Sequence, residues 1–308
     1  MNLDDIMENE NSQYIKKEML EKELKSDRIW VQVGTIFNIF MRPLLSGQIM
    51  VFPQYSCNTN GLSGIDGNSI IRNNMIVVYN RQTRCIQQNE LNFNLKDIII
   101  KVRKNLVKLM APNMKRLILN MNNIVDNSAD ILCMTSYREM YTVYSNCIDC
   151  GEDAAIWISR YLNHPHLRLG YITHKENSKY MFWRNVEALK IYQVDERNVT
   201  FPDNIMPRLT LISYRSYLEV NKLLNNPVTL DQYNADICII PNNTEPFEEL
   251  KWEWIKIGDV ILKNVTTCKG SQINVKNIPL EMKIKMLVLD CELYESGTFR
   301  SGDHIYTR

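Results

Sequence analysis

The run Thr266-Thr267-Cys268-Lys269-Gly270-Ser271 is a small polar turn in which a thiol and several backbone N–H groups could face a ligand. Thiolate sulfur is a soft donor suited to transition metals. Two further cysteines, Cys147 and Cys150, have the Cys-x-x-Cys spacing used by zinc and redox sites. No second pair at metal spacing accompanies them, and Cys150 lies at the start of a helix, so a structural role is expected. His164, His166 and His174 fall within eleven positions. No carboxylate or thiol stands at a compelling spacing from them, and surface positions are expected. Cys85 is expected to be a buried strand residue.

The elements that must position these groups are mostly strands. Trp30 to Phe40 alternates well enough for a strand, with Gly34 marking a bulge or a close approach. Met75 to Tyr79, Asp97 to Val102, Leu106 to Ala111, Arg168 to Ile172 and Leu209 to Ser213 are further strand candidates. Ile255 to Ile257 and Val260 to Val265 alternate on either side of Gly258-Asp259, a hairpin signal, and the second strand runs into the cysteine turn. Asp149 to Leu162 predicts the clearest helix, with Asp149 and Glu152 spaced as a capping box and apolar residues at 154, 155, 158, 161 and 162 forming one stripe. Ser216 to Leu224 predicts a second helix, and the Asn-rich stretch from Asn120 to Ser128 an exposed loop.

Composition narrows the function classes. A chain of 308 residues can hold two domains or one large one, and its net charge of +1 gives no reason to expect nucleic acid or an anionic membrane as partner. Eight cysteines are too sparse for a secreted disulfide scaffold, so reduced thiols and an intracellular location, cytoplasmic or mitochondria-associated, are expected. No apolar run approaches the roughly 20 residues of a membrane span, and no N-terminal anchor or signal peptide is expected. Residues 1–28 are dense in Asp, Glu and Lys and read as a charged tail.

Several segments together resemble the MOSC superfamily, most closely its amidoxime-reducing branch. Trp252-Glu253 and Ile257-Gly258-Asp259 match the family's hairpin. Asp149-Cys150-Gly151-Glu152 with Trp157 matches its Asp-Cys-Gly-Glu helix start, and Gly297 to Tyr306 follows its closing strand. The resemblance covers about residues 30 to 308. It implies an α+β fold: a β-barrel-like MOSC domain with flanking helices over 147–308, preceded by a smaller β-rich N-terminal domain over 29–146. It also implies a molybdenum cofactor, reduction of N-hydroxylated compounds and a cytochrome b5-type electron donor.

Carried over residue by residue, the resemblance places cofactor contacts at Ser46, Asn73, Ser213, Asn234, Lys269, Gly270 and Ser271. The family's metal-ligand cysteine position is Ser271 here, and a serine hydroxyl is a hard, poorly acidic donor. Leu45 stands for a phosphate-binding lysine, and Asn73, Gln88 and Asn234 for arginines. The family's Pro-Asn after that last arginine becomes Ala235-Asp236, and Asp290 stands for a tyrosine. Each charged hydrogen bond lost costs roughly 1.5–3 kcal/mol. The resemblance therefore implies a protein whose catalysis is weakened or lost. The alternative is an active molybdoenzyme in which Cys268 supplies the catalytic metal thiolate and Lys269 restores a phosphate contact.

Overall fold

The computed structural model describes residues 29–67, 69–87, 94–127, 130–137, 141–172, 183–184, 209–222, 224, 226–227, 229–233, 235–242, 245–265 and 288–308. Seven strands close into a barrel. In order round the wall they are β1 (Val31–Ile39), β14 (Ile237–Pro241), β13 (Leu209–Ser213), β17 (Leu289–Glu295), β16 (Val260–Asn264), β15 (Trp254–Ile257) and β19 (His304–Thr307), which returns to β1. Only β13 and β14 run parallel among these pairs; the others are antiparallel. Alternation explains the wall: Ile237 and Ile239 belong to the main core, whereas Cys238 between them packs outside against a satellite cluster.

Three smaller sheets surround the barrel. One orders β12 (Trp183–Arg184), β10 (Tyr141–Asp149), β11 (Leu167–Ile172) and β5 (Ile76–Asn80), with β9 (Asp130–Tyr137) also on β10. A second orders β18 (Gly297–Phe299), β2 (Gln54–Asn58), β3 (Gly61–Asp66) and β4 (Ser69–Arg72). The third is β6 (Ile99–Arg103), β7 (Leu106–Met110) and β8 (Leu117–Asn120). Three α-helices occur among the described residues: α1 (Met121–Asn127), α2 (Glu152–Tyr161) and α3 (Tyr214–Asn221).

The expected α+β class with a smaller β-rich domain ahead of the barrel is therefore corrected. The described chain is mostly β, and its helices are 7, 10 and 8 residues long. Among the described residues no separate N-terminal unit is seen, because β1 is a stave of the barrel and β2 pairs with β18, far along the sequence. One apolar core joins Ile36 and Ile257 of the barrel with Val107 and Leu119 of the third sheet. Alternation in the sequence reveals that a strand exists but not which strand lies beside it.

Local readings fare better. The hairpin forms with Ile257 opposite Val260, and its turn residue Gly258 has φ +55°. The β1–β19 register shifts between Gln32 and Gly34, and a Cβ on Gly34 would meet the Ile240 carbonyl oxygen at 2.4 Å, so both expectations for that glycine are met. The Asn-rich loop is instead α1, where Met121 and Ile124 turn onto the core. The capping box also differs. Gly151 is the N-cap of α2, and no side chain caps the helix.

Candidate functional site

At one end of the barrel, the loop that follows β1 meets the loops that precede β5 and β14. Asn73 joins them. Its Oδ1 accepts the Arg42 N–H at 2.7 Å, and its Nδ2 donates to Asp236 Oδ1 at 2.7 Å. The other carboxylate oxygen of Asp236 accepts the Thr210 N–H at 2.8 Å and the Thr210 hydroxyl at 2.7 Å. The backbone joins in, since Phe40 N–H donates to Asp236 O at 2.7 Å and Asp236 N–H to Thr210 O at 3.0 Å. Burial pushes the Asp236 carboxyl up from its ordinary range, opposed by Thr210, Arg42 and Asn73.

Arg42 is the cation of this region, and it is only 8% exposed. Its Nη1 donates to Phe40 O and its Nη2 to Asp231 O, each at 3.2 Å, and the guanidinium carbon lies 5.6 Å from the Phe40 ring centroid. Burial lowers its pKa against the pull of Asp236 and Asp231. Arg42 is absent from the positions that the sequence points to. The available signal was an arginine placed before Pro43, directly after an apolar strand.

The other sequence-derived positions separate. Ser46 is buried at φ +61° in the Leu44–Gly47 turn, where Gly47 N–H donates to Leu44 O at 2.8 Å. Leu45, the lysine position, packs with Val77, Tyr79, Ile86, Cys133 and Cys147. Ser213 is buried at the end of β13 and caps α3, its Oγ accepting Ser216 N–H at 3.5 Å. Asp290 is buried on β17. Asn234, Gln88, Cys268, Lys269, Gly270 and Ser271 lie outside the described residues.

A second polar centre joins β5, β10 and β11. Arg168 donates from Nε to Asp149 Oδ2 at 2.6 Å and from Nη2 to Asp149 Oδ1 at 2.8 Å, and also pairs with Glu152 at 2.8 Å. The Tyr79 hydroxyl donates to Asp149, and Gly151 N–H adds a contact of 2.7 Å. Burial alone would raise the Asp149 pKa; Arg168, Tyr79 and Gly151 outweigh it and hold the carboxyl below the usual range. Asp149 thus braces the start of α2 through a strand arginine. Cys147 and Cys150 are both buried beside it.

A third group lies outside the barrel wall under α3. Glu249 is 2% exposed, and its Oε1 has no hydrogen-bond partner among the described residues. Burial pushes its carboxyl up to about 7 against a bond from Ser216. Ser216 Oγ in turn accepts Phe247 N–H at 2.7 Å, and Phe247 is held at φ +71°.

No group of three His, Cys, Asp or Glu side chains among the described residues could hold a metal ion. His164 and His166 lie with ring centroids 6.0 Å apart, and no helix among the described residues is long and apolar enough to cross a membrane.

Curated relatives align with most of this chain. Mitochondrial amidoxime reducing component 2 of Rattus norvegicus is 23% identical over 241 residues, 77% of this chain and 65% of its own length. Mitochondrial amidoxime-reducing component 1 of Danio rerio is 23% identical over 248 residues, 80% of this chain and 70% of the relative. The Mus musculus component 1 is 26% identical over 237 residues, 77% and 64%. This chain is similar to mitochondrial amidoxime-reducing components. It spans about two thirds of the length of these relatives. No family model matches. A solution structure from Bordetella bronchiseptica overlaps 32% of the chain with a TM-score of 0.26, too slight a likeness to bear on the fold.

The described positions fit a molybdenum cofactor poorly. A pterin phosphate needs outward-facing cations. Leu45 lies in an apolar cluster, Asn73 is spent on Arg42 and Asp236, and Arg42 turns both terminal nitrogens onto carbonyls.

Proposed function

We propose that this chain is a diverged member of the MOSC superfamily, of the amidoxime-reducing branch, whose catalysis is weakened or lost. In this reading it acts as a pocket or protein-binding module on the old scaffold. The observation that carries the reading is the Asn73–Asp236–Thr210 network, in which Asn73, at a cofactor-contact position, has its side chain taken up by Arg42 and Asp236. A charge-assisted contact to phosphate would require breaking bonds worth roughly 0.5–1.5 kcal/mol each before any gain. Ser271 at the metal-ligand position and Leu45 at the lysine position point the same way. The relatives' printed names support the branch and a mitochondrial association, whereas a cytochrome b5-type electron donor belongs only to the alternative of an active molybdoenzyme.

The test is elemental and pterin analysis of full-length protein purified from cells that make the cofactor, alongside an assay for N-hydroxy compound reduction. Molybdenum far below stoichiometry with no reductase signal is expected. Stoichiometric metal with turnover would overturn the reading in favour of the active molybdoenzyme, and loss of that metal in Cys268→Ser would assign the thiolate.

A further inference from the structure

The third sheet carries one face that nothing described covers. Ile100, Val107, Leu109, Leu117 and Leu119 fill its inner face and belong to the main core. Alternation turns the intervening residues outward. The register places Ile99 opposite Met110, Lys101 opposite Lys108, and Arg103 opposite Leu106, with Ile118 on the far side of Lys108. Ile99, Leu106 and Ile118 are 42%, 43% and 54% exposed, so apolar side chains project between the cations.

The charge here is unbalanced. Residues 99–120 hold six cations, adding Lys104, Lys115 and Arg116 to those three, and no acid, within a chain whose net charge is +1. None of the six side chains pairs with a carboxylate among the described residues. Lys101 and Lys108 face each other directly across the ladder, an arrangement that destabilises a sheet unless an anion lies over it. The charge of the whole chain hides this patch because acids elsewhere cancel it.

We infer that the outward face of β6, β7 and β8 is a docking surface for an anionic lipid bilayer. The face holds no aromatic side chain on which bases could stack, which argues against single-stranded nucleic acid. A protein interface gathers apolar residues at its centre and charge at its rim; here the two alternate along each strand. A bilayer surface suits that alternation. Ile99, Leu106 and Ile118 enter the acyl boundary, while the lysine and arginine stems reach back to anionic headgroups.

Vesicle flotation of the full 308-residue chain tests this. Binding to phosphatidylcholine vesicles containing phosphatidylserine is expected, with little binding to pure phosphatidylcholine and weakening as salt rises. Each cation contributes about 5-fold to affinity at an anionic surface, so Lys101→Glu with Lys108→Glu should reduce binding about 25-fold or more. Lys108→Glu alone creates an opposite-charge pair with Lys101 and should keep or raise the melting temperature while lowering binding, which separates recognition from folding. Ile118→Ser should weaken binding with every charge intact, and Lys251→Glu, away from the sheet, should leave it unchanged. Equal binding to both vesicles, no binding to either, or an unaffected double variant would overturn the inference. So would capture of polyglutamate or an RNA oligonucleotide by this face when vesicles fail.

Discussion

Two carboxylates show how opposite environments at single residues give opposite pH behaviour. Asp149 is held below the usual carboxylate range, so its contribution to stability is present above the unfolded-state pKa and is lost as pH falls through the folded value. Replacing Arg168 with Met leaves Asp149 with the Tyr79 hydroxyl and Gly151 N–H but without its cation, and is expected to cost roughly 2–3 kcal/mol at neutral pH. The penalty should shrink as acid neutralises Asp149, and urea titrations across pH would read it. Glu249 behaves in reverse. With its folded pKa pushed up to about 7 from its ordinary 4.5, the folded state keeps a proton that the unfolded chain has released. Stability therefore falls as pH rises between those values, by about 3 kcal/mol in all. Glu249→Gln is expected to flatten that slope and to stabilise the protein at pH 8, as unfolding curves at pH 5 and pH 8 would reveal. A slope that persists in the variant would place the titration elsewhere.

Among the elements, the hairpin of β15 and β16 depends on its turn. Gly258 has φ +55°, and a Cβ there would meet the Thr298 carbonyl oxygen at 2.5 Å. Gly258→Ala combines left-handed strain with a clash against backbone, and is expected to lower stability by about 2 kcal/mol or more by thermal unfolding. This hairpin was legible because alternation and a glycine turn are local signals, and the bulge at Gly34 was legible for the same reason. Helix α1 was not, because Asn favours turns and caps, and only its tertiary contacts through Met121 and Ile124 supply the burial that overrides that preference. The Asp149 spacing was read as a helix cap, but its partner Arg168 comes from a neighbouring strand that the sequence does not place beside it. The Asp236 network needs the parallel pairing of β13 and β14, another non-local fact. Of the candidate site, Ser46, Asn73 and Ser213 could be located, and the structure sets Ser213 to work as a helix cap and Asn73 as a bridge between loops.

For the whole molecule, barrel closure is the property on which cooperativity rests. β19 bonds to β1 on one side and to β15 on the other. Removing His304–Arg308 frees an edge on each of these strands, and exposed edges recruit other strands. The truncated chain is expected to unfold with a broadened transition and to associate, which size-exclusion chromatography and denaturant titration would detect. A sharp, monomeric transition would show that the six remaining staves suffice. The one continuous core predicts the same coupling from another direction, since the third sheet and the barrel share apolar contacts and should melt together.

The position of β1 also has a consequence during synthesis. Its two neighbours in the wall begin at Ile237 and His304, so the first strand leaves the ribosome long before either. At roughly 5–20 residues per second, that interval is on the order of tens of seconds. Throughout it Ile36 and Ile39 have no barrel to enter, and the nascent chain is open to capture by a holding chaperone until the strands that begin at Ile237 and His304 have emerged.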